Sequence, residues 1–159
     1  NGMVLDIGAG SGRDALWLAQ RGCQVIAVEP AADLLRIGQS KTAEHSVSRV
    51  QWLSDSLPEL KACYQLNLQF NTILLSAVWM HLAPSERERA FRKIANLLAP
   101  GGHFVLSLRF GEFTEIQRLR RLLLGLGECR CRHRHAQQKE RPDRSMCCVG
   151  TDGWWNWMN

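Results

Sequence analysis

The sequence predicts an α/β domain in which helices cover both faces of a parallel sheet. Five short apolar segments alternate with helical patterns between residues 4 and 110, and such alternation indicates βαβ units. Helical crossovers are the usual connection between neighbouring parallel strands. The first segment runs directly into three glycines, Gly8, Gly10 and Gly12, and a helical pattern follows them. Sheets of this kind bind ligands beyond the carboxyl ends of their strands, so we expect a ligand site at that edge.

The five predicted strands are runs of apolar and β-branched residues that end at turn residues or at helix signals. They cover residues 4–7, 24–28, 49–53, 70–76 and 103–110. The fourth run is the most apolar, which is typical of a central strand that is covered on both faces. Polar residues follow the ends of several strands, so candidate functional side chains converge on one edge of the sheet.

Helical periodicity marks the connections between these strands. Apolar residues recur at helical spacing in segments 15–19, 34–37 and 91–98, and a weaker pattern covers 57–66. The clearest helix spans 83–98, where Ser85 and Glu88 match a capping box. The Pro-Gly-Gly run at 100–102 is expected to end it.

Length and composition fit an ordinary globular domain. The 159 residues are 45% apolar and 22% charged. No apolar run approaches the roughly 18 residues that a membrane span needs, so we expect no membrane partner. The chain starts a few residues before the first predicted strand and without Met, which indicates a fragment. Cytoplasmic location is the default expectation, and the pattern makes no prediction about oligomeric state.

The positive charge is concentrated towards the end of the chain. The net charge is +5, but residues 1–114 carry 11 Lys and Arg against 10 Asp and Glu, whereas residues 115–159 carry 9 against 5. A basic face over the whole domain, as nucleic-acid binding would favour, is therefore not predicted. Cys23 and Cys63 are isolated in the sequence, which favours buried thiols in a reducing compartment.

The glycine turn is the strongest single signal. A strand, a glycine-rich turn and a helix place backbone amides at a helix N-terminus, where they can meet polar or anionic groups. Glycine permits close approach because it lacks a Cβ and tolerates positive φ. Asp6 adds an acidic side chain directly before the turn. We expect a nucleotide-like ligand here, and a tight turn without a ligand is the alternative.

These residues resemble a family, the class I S-adenosylmethionine-dependent methyltransferases. Residues 5–12, Leu-Asp-Ile-Gly-Ala-Gly-Ser-Gly, are similar to its first motif, and 28–30, Val-Glu-Pro, to the acidic end of its second strand. Residues 70–109 resemble its fourth strand, fourth helix and fifth strand. The resemblance covers about residues 1–113. It implies a Rossmann-like sheet in the order 3-2-1-4-5, with two further strands beyond the fifth.

The resemblance also implies S-adenosylmethionine as the cofactor and a set of residues that bind it. Residues of the glycine turn, Gly8, Ala9, Gly10 and Gly12, would hold its methionine end, with Asp6 helping to position that portion. Glu29, followed by Pro30, would accept hydrogen bonds from both ribose hydroxyls. A carboxylate suits that role because it has two acceptor oxygens.

Three further cofactor-binding residues are implied in the same way. Asp55 would accept from the adenine amino group with the Ser56 amide nearby, and Ser76 would lie close to the site of methyl transfer. The residues leave alternatives open: Asp6 as an acceptor for turn amides, Asp55 as a cap for the following segment, and Ser76 as a polar interruption of a strand.

A dinucleotide-binding domain is the main rival interpretation, because it shares the architecture and the ribose-binding acid. Its fingerprint, G-x-G-x-x-G/A, requires glycine or alanine at position 13. Arg13 stands there, so the spacing favours S-adenosylmethionine.

The predicted reaction is transfer of a methyl group to a small molecule by in-line displacement. Residues 76–79, Ser-Ala-Val-Trp, replace the Asn/Asp-Pro-Pro-Tyr/Phe motif of amino-group methylases that act on nucleic-acid bases or glutamine, so nucleic acid is not the favoured acceptor. His81 is either a general base or a hydrogen-bonding group at the start of the next helix. Trp79 is either a wall of the substrate pocket or a core residue.

The resemblance fails near the C-terminus. We expect an incomplete methyltransferase domain over 1–126 and a basic tail, rich in Cys and Trp, over 127–159. Strands six and seven are predicted to be missing or abnormal, as a frame change in the coding DNA would produce, which would leave strand five as an exposed edge.

Cys129, Cys131, His133 and His135 have zinc-type side chains, but their single-residue spacing is not that of zinc sites, so no metal is predicted. An arginine-rich arm for single-stranded nucleic acid is another minor possibility. A non-catalytic remnant that at most binds the cofactor is the alternative function.

Overall fold

The computed structural model describes residues 2–109, 132–135 and 144–150. The described part of the chain forms seven strands, four α-helices and one 3₁₀ turn. In chain order they are β1 (Met3–Ile7), α1 (Arg13–Gln20), β2 (Gln24–Val28), α2 (Ala32–Glu44), β3 (Val50–Leu53), α3 (Lys61–Gln65), β4 (Phe70–Leu75), the 3₁₀ turn (Trp79–His81), α4 (Pro84–Leu97), β5 (Leu98–Arg109), β6 (Arg132–His135) and β7 (Arg144–Gly150).

All seven strands belong to one sheet in the order β3-β2-β1-β4-β5-β7-β6. The first five are parallel to one another, which confirms the predicted order 3-2-1-4-5. The register aligns the carboxyl ends of the inner strands, since Ile7 pairs with Val28 and Leu75 with Leu106. The turns after β1, β2 and β4 therefore lie next to one another.

Two apolar layers cover the sheet, because alternate residues of each strand point to opposite faces. On one face, Leu5 and Ile73 pack in a cluster that includes Phe91 and Ile94 of α4. On the other face, Val4 and Val25 pack with alanines of α1. The prediction of helices on both faces is thus confirmed.

The start of α4 differs from the predicted capping box. Ala83 is the N-cap, and its amide donates to Oε2 of Glu86 at 3.2 Å, so the predicted pairing of Ser85 with Glu88 is wrong. The physical reason is Pro84. Its fixed φ suits the first helical position, and the helix therefore begins two residues earlier than an N-cap at Ser85 would place it.

The fifth strand begins earlier than predicted. It follows α4 directly at Leu98, and the pairs Phe70↔Leu98 and Thr72↔His103 enclose a bulge of extra residues. Gly101 lies in this bulge with a φ of 72°. The Pro-Gly-Gly run therefore interrupts the pairing of the strand without delaying its start.

The prediction that strands six and seven are missing or abnormal, with β5 as an exposed edge, is wrong as regards the backbone. Strand β7 pairs antiparallel with β5 from His103↔Gly150 to Arg109↔Arg144, and β6 pairs with β7. Backbone groups make these bonds, so a strand can form without the side-chain alternation that sequence analysis requires. The segments 110–131, 136–143 and 151–159 lie outside the described residues, and with them the division predicted at residue 126.

Within the part of the chain that the structure describes, no helix combines the length and the apolar character that a bilayer crossing requires.

Candidate functional site

The backbone of the glycine turn is held against β2. The amides of Gly8 and Ala9 both donate to the Val28 carbonyl, at 2.8 and 2.9 Å, and the Gly12 amide donates to the Ala9 carbonyl at 2.9 Å. All three glycines have positive φ, at 73°, 57° and 83° in order. The turn thus has a fixed shape that side chains other than hydrogen would strain.

The three glycines face different surroundings. A Cβ at Gly8 would lie 2.3 Å from Cγ2 of Val78, and one at Gly12 would lie 2.8 Å from the Trp52 ring. A Cβ at Gly10 would meet no atom within 4 Å. Gly8 and Gly12 are therefore needed for packing, whereas Gly10 borders open space that a ligand could enter.

Glu29 connects the second strand to this turn. The residue is 6% exposed, and its two carboxylate oxygens accept from the Gly10 amide at 2.8 Å and from the Ala31 amide at 2.9 Å across Pro30. Each carboxylate oxygen has a second lone pair, so Glu29 can still accept from a ligand. Its predicted role as the ribose ligand stays a prediction, and the structure adds that it holds Gly10.

Asp6 is the unusual group of the site. It is 1% exposed, and no described residue hydrogen-bonds its Oδ2. Burial first, and then the charges of Asp14 and Glu29, raise the pKa of Asp6 from 3.8 to about 7, while the charge of Arg13 acts in the opposite direction. Buried carboxylate oxygens are normally paired, so an unpaired one calls for an explanation. A donor on a ligand, above all a cationic one, would supply it.

The alternative role of Asp6, as acceptor for turn amides, does not describe this turn. The amides of Gly8 and Ala9 are bonded to the Val28 carbonyl, and the Gly10 amide is bonded to Glu29.

Asp55 caps the following segment, which is the alternative left open by the sequence. Its Oδ1 accepts from the Ser56 amide at 2.8 Å and its Oδ2 accepts from the Cys63 amide of α3 at 3.1 Å. Burial and then the charge of Asp55 raise the pKa of the Cys63 thiol to about 12, so this thiol stays protonated at neutral pH. The contact between Asp55 and adenine stays a prediction.

The residues after β4 separate into a surface group and a core group. Ser76 is half-buried beside the glycine turn, and His81 is exposed. Trp79 is 1% exposed and belongs to the core, which favours the core alternative over a pocket wall. The backbone amide at the start of α4, that of Ala83, is bonded by Glu86, so the structural role considered for His81 is filled by another residue.

Three residues near the turn were not predicted from the sequence, namely Val78 and Trp52, which pack behind it, and Ser107, whose hydroxyl bonds the neighbouring turn after β4. Ser107 Oγ accepts from the Ala77 amide at 2.7 Å. Glycine spacing predicts the turn but carries no information about which distant side chain fills the space behind each glycine. The glycine at position 38 offered a weak signal, because a glycine within a helical pattern often has a packing reason.

Trp52 fills the space between the glycine turn and α2. A Cβ at Gly38 would lie 2.1 Å from its ring. Alanine in an open helix position stabilises by about 1 kcal/mol relative to glycine. We expect Gly38→Ala instead to lower the free energy of unfolding by about 1–3 kcal/mol, because the methyl group overpacks the ring. Urea unfolding measures the change.

The control for this prediction is Trp52→Leu, alone and combined with Gly38→Ala. With the smaller side chain, the added methyl group should cost less, so the two changes should be non-additive. Equal costs of Gly38→Ala in both backgrounds would contradict the packing explanation.

A family model described as a methyltransferase domain matches residues 4–102 of the chain. An uncharacterized methyltransferase of Alkaliphilus oremlandii is 29% identical over 117 residues, which are 74% of this chain and 50% of the relative. An uncharacterized methyltransferase of Geobacillus kaustophilus is 30% identical over 105 residues, 66% of this chain and 46% of the relative. The chain thus spans about half the length of these curated relatives.

Solved structures with the same fold include enzymes with different acceptors. The 1,6-didemethyltoxoflavin-N1-methyltransferase of Burkholderia thailandensis, solved with 1,6-didemethyltoxoflavin and S-adenosylhomocysteine, superposes with a TM-score of 0.76 at 21% identity, over 96% of this chain and 72% of that one. An rRNA methylase of Streptococcus thermophilus superposes with a TM-score of 0.73 at 14% identity, over 95% and 87%. At these identities the likeness shows the fold alone.

Proposed function

The chain belongs to the methyltransferase-domain family, and from that premise we propose that it binds S-adenosylmethionine at the glycine turn and transfers the methyl group to a small-molecule acceptor. The family match over residues 4–102 includes the whole turn and both acidic residues beside it. Membership of this family favours S-adenosylmethionine over the dinucleotide that the architecture alone would also allow.

The main support is the buried carboxylate of Asp6, whose Oδ2 has no partner among the described residues and which precedes the turn where Gly10 borders open space. S-adenosylmethionine has a cationic amino group at its methionine end. A buried acceptor without a donor fits such a group, since hydrogen bonds to charged partners contribute about 1.5–3 kcal/mol each. The absence of a side chain at Gly10 leaves room for close approach of the ligand to the backbone.

Each residue of the site has a distinct task in this proposal. Asp6 would accept from the amino group of the cofactor, and the second lone pairs of Glu29 would accept from the ribose hydroxyls. Glu29 already holds the Gly10 amide at 2.8 Å, so the turn is shaped before the ligand arrives. Asp55 and Ser56 would border the adenine, and Ser76 the transferred group.

The cofactor supplies a methyl group on a sulfonium, which is a good leaving group for in-line displacement. The protein then has to align the acceptor with the methyl group, an effect of orientation that needs no protein nucleophile. Asp6 and Glu29 would therefore serve to bind the cofactor, and the reaction would not require a catalytic dyad.

A small-molecule acceptor is supported by residues 76–79, where the motif of nucleic-acid amino methylases is absent. One relative, the 2-heptyl-1-hydroxyquinolin-4(1H)-one methyltransferase of Mycobacteroides abscessus, is 24% identical over 106 residues, and its name gives a small molecule as the acceptor. An RNA acceptor is the second candidate, because an rRNA methylase shares the fold. Cytoplasmic location stays a prediction.

A labelling assay tests the proposed function. The chain is incubated with S-adenosylmethionine that carries a tritiated methyl group and with a cell extract, and the extract is then separated into small molecules, protein and RNA. Relative to the same extract without the chain, we expect additional label in the small-molecule fraction, in a product that is separated from the labelled cofactor itself. Label confined to RNA would replace the proposed acceptor class, and cofactor binding without label in any fraction would identify the chain as a non-catalytic remnant.

The general-base hypothesis for His81 makes a separate prediction. Replacing it in His81→Ala should lower kcat about 100-fold, which is typical of the loss of a positioned base. The unfolding temperature should not change, because the ring is exposed. Unchanged kcat, measured with an acceptor found in the labelling assay, would remove the hypothesis, and His81→Gln serves as the size-matched control.

A further inference from the structure

The turn after β4 has an unusual backbone. Ala77 has a φ of 57°, in the left-handed region that residues with a Cβ seldom adopt. Such a conformation persists only when the surrounding structure holds it, and it is frequent at functional sites. The turn lies directly beside the glycine turn, because β4 is the neighbour of β1 in the sheet.

One side chain holds this conformation, that of Ser107. Its Oγ accepts from the Ala77 amide at 2.7 Å. Ser107 follows the pair Leu75↔Leu106 at the carboxyl end of β5, and it is paired on the other side with Met146 of β7. Strands on both sides thus fix the backbone from which the hydroxyl reaches the turn.

The next residue of the turn, Val78, contacts the glycine turn. Its Cγ2 lies so close to Gly8 that a Cβ at that glycine would be only 2.3 Å from it. The Gly8 amide in turn donates to the Val28 carbonyl at 2.8 Å. A contiguous series of contacts therefore runs from Ser107 through Ala77 and Val78 to Gly8.

We propose that Ser107 is a positioning residue that holds the strained turn 76–78 against Gly8, so that the glycine turn keeps the shape that binds the cofactor. Without the hydroxyl, Ala77 is free to relax to negative φ, and that rotation displaces Val78 from Gly8. The expected effect on cofactor binding rests on the proposed function, because Ser107 acts on the cofactor site through Val78 and Gly8.

Four variants test the role. Ser107→Ala removes the acceptor, and Ser107→Thr keeps it. In Ser107→Ala combined with Ala77→Gly, glycine adopts positive φ without strain, so the turn no longer needs the hydroxyl. Asn71→Ala is the matched control, because Asn71 Oδ1 likewise accepts from a backbone amide, that of Met3 at 2.9 Å, at the opposite end of the same strands.

Two readouts are measured on the full chain, namely the Kd for S-adenosylhomocysteine by calorimetry and hydrogen exchange of single amides by NMR. We expect Ser107→Ala to raise the Kd by about threefold to tenfold, the effect of one lost hydrogen bond. Exchange at Ala77, Gly8 and Ala9 should accelerate in the same variant. Ser107→Thr, the double variant and Asn71→Ala should keep the wild-type Kd and the wild-type exchange at Gly8 and Ala9.

The two proposals fail in different ways. If the wild-type chain does not bind S-adenosylhomocysteine, the proposed function fails, and the exchange rates still decide the role of Ser107. Wild-type exchange at Gly8 and Ala9 in Ser107→Ala would overturn the inference, even if that variant unfolds at a lower temperature. A raised Kd that persists in the double variant would also overturn it, because strain at Ala77 would then not be the cause.

Discussion

Asp6→Asn is expected to bind S-adenosylhomocysteine about 10- to 100-fold more weakly than the wild-type chain, since a hydrogen bond to a charged group contributes about 1.5–3 kcal/mol. The same variant is expected to be more stable without ligand. At neutral pH the wild-type chain buries a carboxylate whose Oδ2 has no partner among the described residues, and removing the charge relieves that cost. Affinity and stability should therefore change in opposite directions.

The pKa of Asp6 sets the size and the pH dependence of the gain in stability. Burial first, and then the charges of Asp14 and Glu29, raise this pKa from 3.8 to about 7. This rise in pKa corresponds to about 4 kcal/mol. The figure is an upper bound on the stability gained by Asp6→Asn, because the Asn amide must also be buried. We expect a net gain of about 1–3 kcal/mol above neutral pH.

The sign of the pH dependence follows from the direction of the shift. The folded chain holds the proton of Asp6 more tightly than the unfolded chain, so the unfolded state binds fewer protons between the two pKa values. The free energy of unfolding of the wild-type chain should therefore fall as the pH rises from about 4 to about 7 and level off above it. In Asp6→Asn this fall should be absent. Urea unfolding at several pH values measures it, and parallel curves for both chains would contradict the assignment.

Gly10→Ala is expected to lower the affinity for S-adenosylhomocysteine about 100-fold or more, an effect of steric exclusion comparable to the loss of an essential binding group. The methyl group would project into space that no described atom occupies within 4 Å. If that space receives the cofactor, the methyl group and the ligand compete for it. Calorimetry gives the affinity of the variant.

Gly101→Ala is the control, because it introduces the same backbone strain without placing a methyl group in the proposed cofactor site. Gly10 has a φ of 57° and Gly101 a φ of 72°, and a Cβ at either position would meet no atom within 4 Å. Both variants should therefore lose a similar free energy of unfolding, about 1–2 kcal/mol for a left-handed residue with a side chain. Only Gly10→Ala should lose affinity. Equal affinities would show that the space at Gly10 is not the ligand site.

The sequence predicted the fold better than it predicted the supports of the site. Glycine spacing and strand-helix alternation suffice for the sheet order and for the turn after β1, because both are local or depend on hydrophobic periodicity. The same spacing does not distinguish Gly10 from Gly8 and Gly12, since that difference comes from the distant side chains of Val78 and Trp52.

Two errors have physical causes that sequence patterns do not reveal. The start of α4 depends on Pro84, whose fixed φ prevails over the preference of Ser85 for an N-cap position. Strand β7 depends on the backbone groups of β5, which pair with it from His103 to Arg109 whatever its side-chain pattern. For Asp55, the residues allowed both a cap and an adenine contact, and the structure shows the cap while the second role stays a prediction.

The most direct test of the central claim, that Asp6 and the glycine turn form an S-adenosylmethionine site, is a calorimetric titration of the wild-type chain with S-adenosylhomocysteine and, separately, with a nicotinamide dinucleotide. We expect saturable binding of S-adenosylhomocysteine that weakens in Asp6→Asn and Gly10→Ala, and no binding of the dinucleotide. Tight dinucleotide binding without a response to S-adenosylhomocysteine would contradict it.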